Sequence, residues 1–180
     1  ELPVVASLIL VLIIIFLLVA CAFVYMTTPN KFRFFDLPVA YCHRGFWDEK
    51  LPENSLPAFG SAVAMGADEI EFDLWSTKDG ELVTAHDSKL ERVSNGTGKV
   101  TEHTLEELKA LDFGVKFGEV YEDLRLPTFE EILQKFAGRV IMNIHVKIWD
   151  ADFPDPMIEQ IVGLIRKYDA QNHVYFMTAN

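Results

Sequence analysis

The chain has 180 residues, enough for about one domain, and half of its residues are hydrophobic. Its formal net charge is −11, with the acids dispersed, so a nucleic-acid backbone is repelled and nucleic acid is excluded as a partner class. Its two cysteines, Cys21 and Cys42, cannot supply a disulfide framework.

From Pro3 to Met26 every residue is apolar or small except Ser7, and about 20 such residues suffice to cross a hydrocarbon core. The run predicts a single-pass transmembrane helix within residues 1–26. It is too long for the apolar region of a cleaved signal peptide, which spans about 7–15 residues. Leu18-Val19-Ala20-Cys21 resembles a lipoprotein cleavage box, but the residues after it stay apolar where lipoproteins turn polar. Lys31 and Arg33 weigh toward a cytoplasmic C-terminal side, while Glu1 in place of Met implies a longer N-terminal flank, so sidedness stays open. Residues 27–36 read as a juxtamembrane connector, with a turn at Pro29-Asn30 and Phe32, Phe34 and Phe35 suited to the membrane interface.

From residue 37 to 180 short apolar runs alternate with helical stretches, the pattern of βα units and a parallel sheet. Candidate strands are Val39 to Cys42, Ile70 to Trp75, Leu82 to Ala85, Val140 to Val146 and Val174 to Met177. Candidate helices are Leu56 to Met65, Leu105 to Leu111, Phe129 to Phe136 and Pro156 to Tyr168. Thr104 with Glu107 and Thr128 with Glu131 form capping boxes at two helix starts, and Gly66 and Gly138 mark two helix stops. A (β/α)₈ barrel takes about 250 residues, so an α/β chain of this length predicts a TIM-barrel-type domain truncated after about its first half. An open sheet of five strands is the simpler alternative.

Alternate side chains of a strand share a face, so Glu69, Glu71 and Asp73 lie opposite Ile70, Phe72 and Leu74. With the apolar face on helices, the acids point into the barrel, and residues two apart are roughly 7 Å apart, close enough to share a divalent cation. A solvated edge strand explains the same alternation equally well. Between Val140 and Ile148 the inward set is Ile141, Asn143, His145 and Lys147; a lone Lys there can simply reach water at the strand end. His43 and His86 each follow a short apolar strand, where parallel sheets present groups to ligands. Each alone is more often structural; together with the acids and Arg44 they suit acid–base chemistry on a phosphodiester.

The ordered motifs His43-Arg44-Gly45, Pro52-Glu53-Asn54-Ser55, Gly66 to Asp73, Thr77-Lys78-Asp79-Gly80, His86-Asp87, Leu90-Glu91-Arg92, Asn95-Gly96-Thr97-Gly98, Thr104 to Leu108 and Leu126 to Glu131 resemble the glycerophosphodiester phosphodiesterases. The resemblance covers Ala40 to Lys147. It implies a (β/α)₈ barrel that hydrolyses small-molecule glycerophosphodiesters to glycerol 3-phosphate and an alcohol with a divalent cation, commonly Mg²⁺ or Ca²⁺. Carried over, His43 and His86 are the acid–base pair, Arg44 and Lys147 contact phosphate, Glu71 and Asp73 hold the metal, and Glu53 supports the site. Residues 87–126 correspond to the family's insertion. The chain departs from the usual Asn-Ile-Glu-Ile-Lys at Asn143-Ile144-His145-Val146-Lys147, so that His145 replaces the third metal-binding acid, and imidazole suits softer transition metals better. Two other readings stay open: a phospholipase D-like lyase acting on lysophospholipid or sphingomyelin, and a catalytically inactive membrane-bound binding module.

Overall fold

The structure, a computed structural model, describes residues 13–17, 20, 39–148 and 155–177. The chain divides into two units, Glu1–Pro38 and Val39–Asn180. In the first, residues 13–17 and 20 are helical, and the rest of the expected transmembrane run, with the whole connector 27–36, lies outside the described residues. Among the described residues no helix is long and apolar enough to cross a membrane.

In the second unit the elements follow as β1 (Tyr41–Cys42), α1 (Leu56–Ala64), β2 (Glu69–Ser76), β3 (Leu82–Thr84), α2 (Leu105–Ala110), α3 (Phe129–Phe136), β4 (Ile141–Val146), α4 (Asp155–Lys167) and β5 (Val174–Met177). Helix starts obey their local chemistry. Ser55 accepts the Ala58 N–H ahead of α1, where Pro57 occupies the first turn without costing a backbone bond. Both expected capping boxes form, Thr104 with Glu107 and Thr128 with Glu131. Gly66 and Gly138 follow the ends of α1 and α3 at φ values of 84° and 73°, the left-handed region that stops a helix.

The strands line up as β1-β2-β4-β5, all parallel, and β3 pairs with β2. The β2–β3 pairing is antiparallel, against the expectation of βα units throughout. Only residues 77–81 separate the two strands, too few for the dozen or more that a parallel crossover needs. They close a hairpin instead, with the Thr77 N–H donating to the Glu81 carbonyl and Gly80 at φ 87°. Because β1 ends opposite Ile70, the upper part of β2 is left free on that edge for β3 at Leu74 to Ser76.

The apolar face of β2, with Ile70, Phe72 and Leu74 fully buried, packs with Met142 and Ile144 of β4 against Phe59 of α1, Phe129, Ile132 and Leu133 of α3, and Met157, Ile161 and Ile165 of α4. A second core of Trp75, Val83, Leu90, Val100, Leu108, Phe113 and Leu126 holds the segment after β3. α1, α3 and α4 thus cover one face of the sheet, and the acidic residues of β2 lie on the other.

Candidate functional site

β2 is a central strand, so its acidic face is not solvated: Glu71 and Asp73 are each 1 % exposed. The β2–β4 register sets Asp73 beside His145 and Glu71 beside Asn143. Glu71, Asp73 and His145 bring one potential ligand atom each within 4.8 Å of one another. The outer lone pairs are already used: Glu71 Oε2 accepts the Arg44 N–H at 3.0 Å, and Asp73 Oδ2 accepts from Asn54 Nδ2 at 3.0 Å. Asp73 Oδ1 has Lys147 Nζ at 2.8 Å and His145 Nδ1 at 3.3 Å, yet neither is angled as a hydrogen bond, so this buried oxygen has an ammonium and an imidazole beside it and no aligned donor. Burial, and next the charge of Asp73, push the Glu71 carboxyl up to about 7. Burial and Lys147 push His145 down, which favours its neutral, metal-binding form. Two crowded carboxylates, an oxygen without an aligned donor and a neutral imidazole fit a divalent cation.

His43 follows β1, one step past the Cys42–Ile70 pair, and its half-exposed ring sits with Nε2 3.9 Å from Glu71 Oε2. Burial and then Arg44 lower its pKa. Arg44 turns the chain at φ 58° into Gly45 at φ 81°, where a Cβ would meet the backbone of Ala58 at 2.8 Å; only glycine fits. The Arg44 guanidinium spans Glu53, with Nη1 at 3.3 Å from Oε2, and Asp73, with Nε at 3.8 Å from Oδ2, and lies over the Trp47 ring.

The hairpin carries β3 back down β2, and the Ala85 N–H donates to the Asp73 carbonyl, so His86 arrives at the level of the acids. His86 is thus delivered by an antiparallel strand, where a parallel one was expected. His86 Nδ1 meets Asp87 Oδ1 at 2.6 Å, and Arg92 Nε donates to Asp87 Oδ2. Arg92 also grips Glu53, Nη2 to Oε1 at 2.6 Å and Nη1 to Oε2 at 3.1 Å. The charge of His86 contributes to lowering both His43 and His145, so the three imidazoles share one electrostatic neighbourhood. A cleft lined by Glu53, Asn54, His86, Val93, Phe113 and Phe117 opens on the His86 side, and His43, Glu71, Asp73 and His145 do not line it.

Glu69, expected on the same face, stands apart: it accepts from Tyr175 Oη and, at 3.4 Å, from Asn143 Nδ2. Three residues without an expected role join the site. Asn54, at φ 52°, clamps Asp73 twice, through Nδ2 and by accepting the Asp73 N–H at 3.1 Å. Asp87 and Arg92 link His86 to Glu53. All three stand in the motifs quoted above, but nothing in their spacing shows what they touch.

A family model described as the glycerophosphoryl diester phosphodiesterase family matches residues 43–177. The chain is 39 % identical over 140 residues to a glycerophosphodiester phosphodiesterase of Caldanaerobacter subterraneus, covering 77 % of this chain and 56 % of that one. With the glycerophosphodiester phosphodiesterase of Bacillus subtilis it shares 36 % identity over 141 residues, 74 % of this chain and 47 % of the relative. It thus spans about half the length of these curated relatives. Among solved structures, an Oleispira antarctica phosphodiesterase in complex with the product sn-glycerol-3-phosphate superposes with a TM-score of 0.72 at 28 % identity, over 80 % of this chain and 58 % of that one. A glycerophosphodiester phosphodiesterase from Agrobacterium tumefaciens gives a TM-score of 0.71 at 28 % identity, over 80 % and 59 %. The fold is accordingly α/β and TIM-barrel-like, with a parallel sheet, and the chain belongs to the glycerophosphoryl diester phosphodiesterase family.

Proposed function

We propose that the protein hydrolyses glycerophosphodiesters to glycerol 3-phosphate and an alcohol with the help of a divalent cation. The observation that carries this reading is the buried Glu71–Asp73 pair with His43 at 3.9 Å and the cations Arg44 and Lys147 on the same carboxylate. The product bound to the Oleispira relative supports the substrate class.

Glu71, Asp73 and His145 would hold the cation, Mg²⁺ or Ca²⁺ by family, with the nitrogen of His145 also suiting a transition metal. When bound, it supplies Lewis-acid stabilisation of charge on phosphoryl oxygen. Arg44 and Lys147 bind the anionic ester, and Glu53, bonded to Arg44 Nη1, keeps that guanidinium in place. One of His43 and His86 removes a proton from the nucleophile and the other protonates the leaving alkoxide.

The test is turnover of glycerophosphocholine and glycerophosphoglycerol with and without chelator, beside His43→Ala and His86→Ala. Removing a proton-transfer group lowers kcat by about 10²–10⁴-fold. Undiminished turnover in both variants would sink the assignment.

The apolar run from Pro3 to Met26 we read as a membrane anchor ahead of the N-terminal part of a barrel domain, residues 37–180, with residues 87–126 as its insertion. Length and apolarity support the anchor. Carbonate extraction of membranes tests it: the protein stays in the pellet, and release into the supernatant refutes it.

A further inference from the structure

Arg92 stands in a motif to which the proposed chemistry assigns no task, yet it is the hub of the side-chain network at the site. Its guanidinium has donors only, and it spends three of them on two acids: Nε on Asp87 Oδ2, Nη2 on Glu53 Oε1 at 2.6 Å and Nη1 on Glu53 Oε2 at 3.1 Å. Each acid in turn holds a group of the proposed machinery. Asp87 Oδ1 lies 2.6 Å from His86 Nδ1, and Glu53 accepts from Arg44 Nη1 at 3.3 Å.

The proton positions follow. Arg92 holds Asp87 ionised, and a carboxylate can only accept, so Nδ1 of His86 carries the proton and Nε2 of the neutral ring keeps its lone pair. The same guanidinium fixes Glu53, and through it the direction of Arg44.

We propose that Arg92 is a positioning residue that sets the tautomer of His86 through Asp87 and the orientation of Arg44 through Glu53, so that one side chain from the segment after β3 aligns both the proton-transfer and the phosphate-binding groups. The kinetic part rests on the hydrolysis proposed above; the tautomer part does not.

The experiment is ¹⁵N-imidazole NMR of His86 in the intact protein at a pH where the ring is neutral, together with kcat and KM on glycerophosphocholine. In the unaltered protein His86 is the Nδ1–H tautomer. In Asp87→Asn, Arg92 still demands an acceptor, so the new carboxamide turns its oxygen to Arg92 and its NH₂ to His86, which switches to the Nε2–H tautomer. Adding Arg92→Gln to Asp87→Asn releases that constraint and gives a mixture of tautomers. Arg92→Gln alone lowers kcat by about 10–100-fold, as loss of an orienting group does, and raises KM as Arg44 loses its brace. Arg92→Lys does not restore either constant, because one ammonium cannot bridge both acids. If the tautomer in Asp87→Asn is the same with and without Arg92, the proposal is overturned whether or not the protein turns over phosphodiesters. A loss of kcat that only tracks the folded fraction in thermal melts would overturn the kinetic part.

Discussion

Glu69 and the Glu71–Asp73 pair lie on one face of one strand, all nearly inaccessible at 8 %, 1 % and 1 % exposure, and they meet opposite surroundings. At the lower end Glu69 is bonded by neutral donors, Tyr175 Oη and Asn143 Nδ2. At the upper end Asp73 faces Arg44, His145 and Lys147 and keeps one oxygen without an aligned donor. The lesson is that burial of an acid does not mark a site. What marks it is that the neighbours are cations and a titratable imidazole that leave one oxygen without an aligned donor, rather than neutral donors that close its hydrogen bonds.

That contrast can be broken at both ends. Glu71→Gln and Asp73→Asn are expected to weaken divalent-metal binding by more than about 100-fold, beyond what loss of an outer-shell partner costs, whereas Glu69→Gln changes it by less than about threefold. Calorimetric titration of the three variants checks this; equal losses would dissolve the distinction between the two ends. Tyr175→Phe is expected to destabilise the protein by about 1.5–3 kcal/mol, since a buried carboxylate loses a donor, and to leave metal affinity unchanged. Denaturant melts beside the same titration read both.

The pH dependence sharpens the comparison further. The Glu71 carboxyl, ordinarily at 4.5, stands at about 7 in the fold, so between these values the folded metal-free protein binds more protons than the unfolded chain. Its contribution to stability is complete below pH 4.5 and is lost as pH rises through 7. A divalent cation requires the ionised form, so affinity falls by up to about tenfold for each unit below pH 7. Melting curves from pH 4.5 to 8 should therefore fall with pH in chelator and stay level in saturating metal, where Glu71 is ionised in the folded and the unfolded chain alike. Parallel curves would remove Glu71 from the ligand set.

Much of the fold was legible because the signals are local. The period-two alternation of β2, the capping boxes at Thr104 and Thr128 and the glycines at 66 and 138 each depend on neighbours within a few residues. The ordered motifs likewise carried the family, and seven of the expected site residues, His43, Arg44, Glu53, Glu71, Asp73, His145 and Lys147, are linked by direct contacts. The antiparallel β3 was also written in the chain, in the short 77–81 connection, though βα alternation masked it.

By itself, then, the sequence determined which residues share a face, where helices begin and which family the motifs belong to. Only the tertiary structure decided that Glu69 closes onto Tyr175, that Asn54 clamps Asp73 and that Arg92 joins Asp87 to Glu53. The physical reason is one of range: side-chain direction repeats every two residues along a strand, but the partner across it depends on register between segments separated by tens of residues, such as Asp73 with His145.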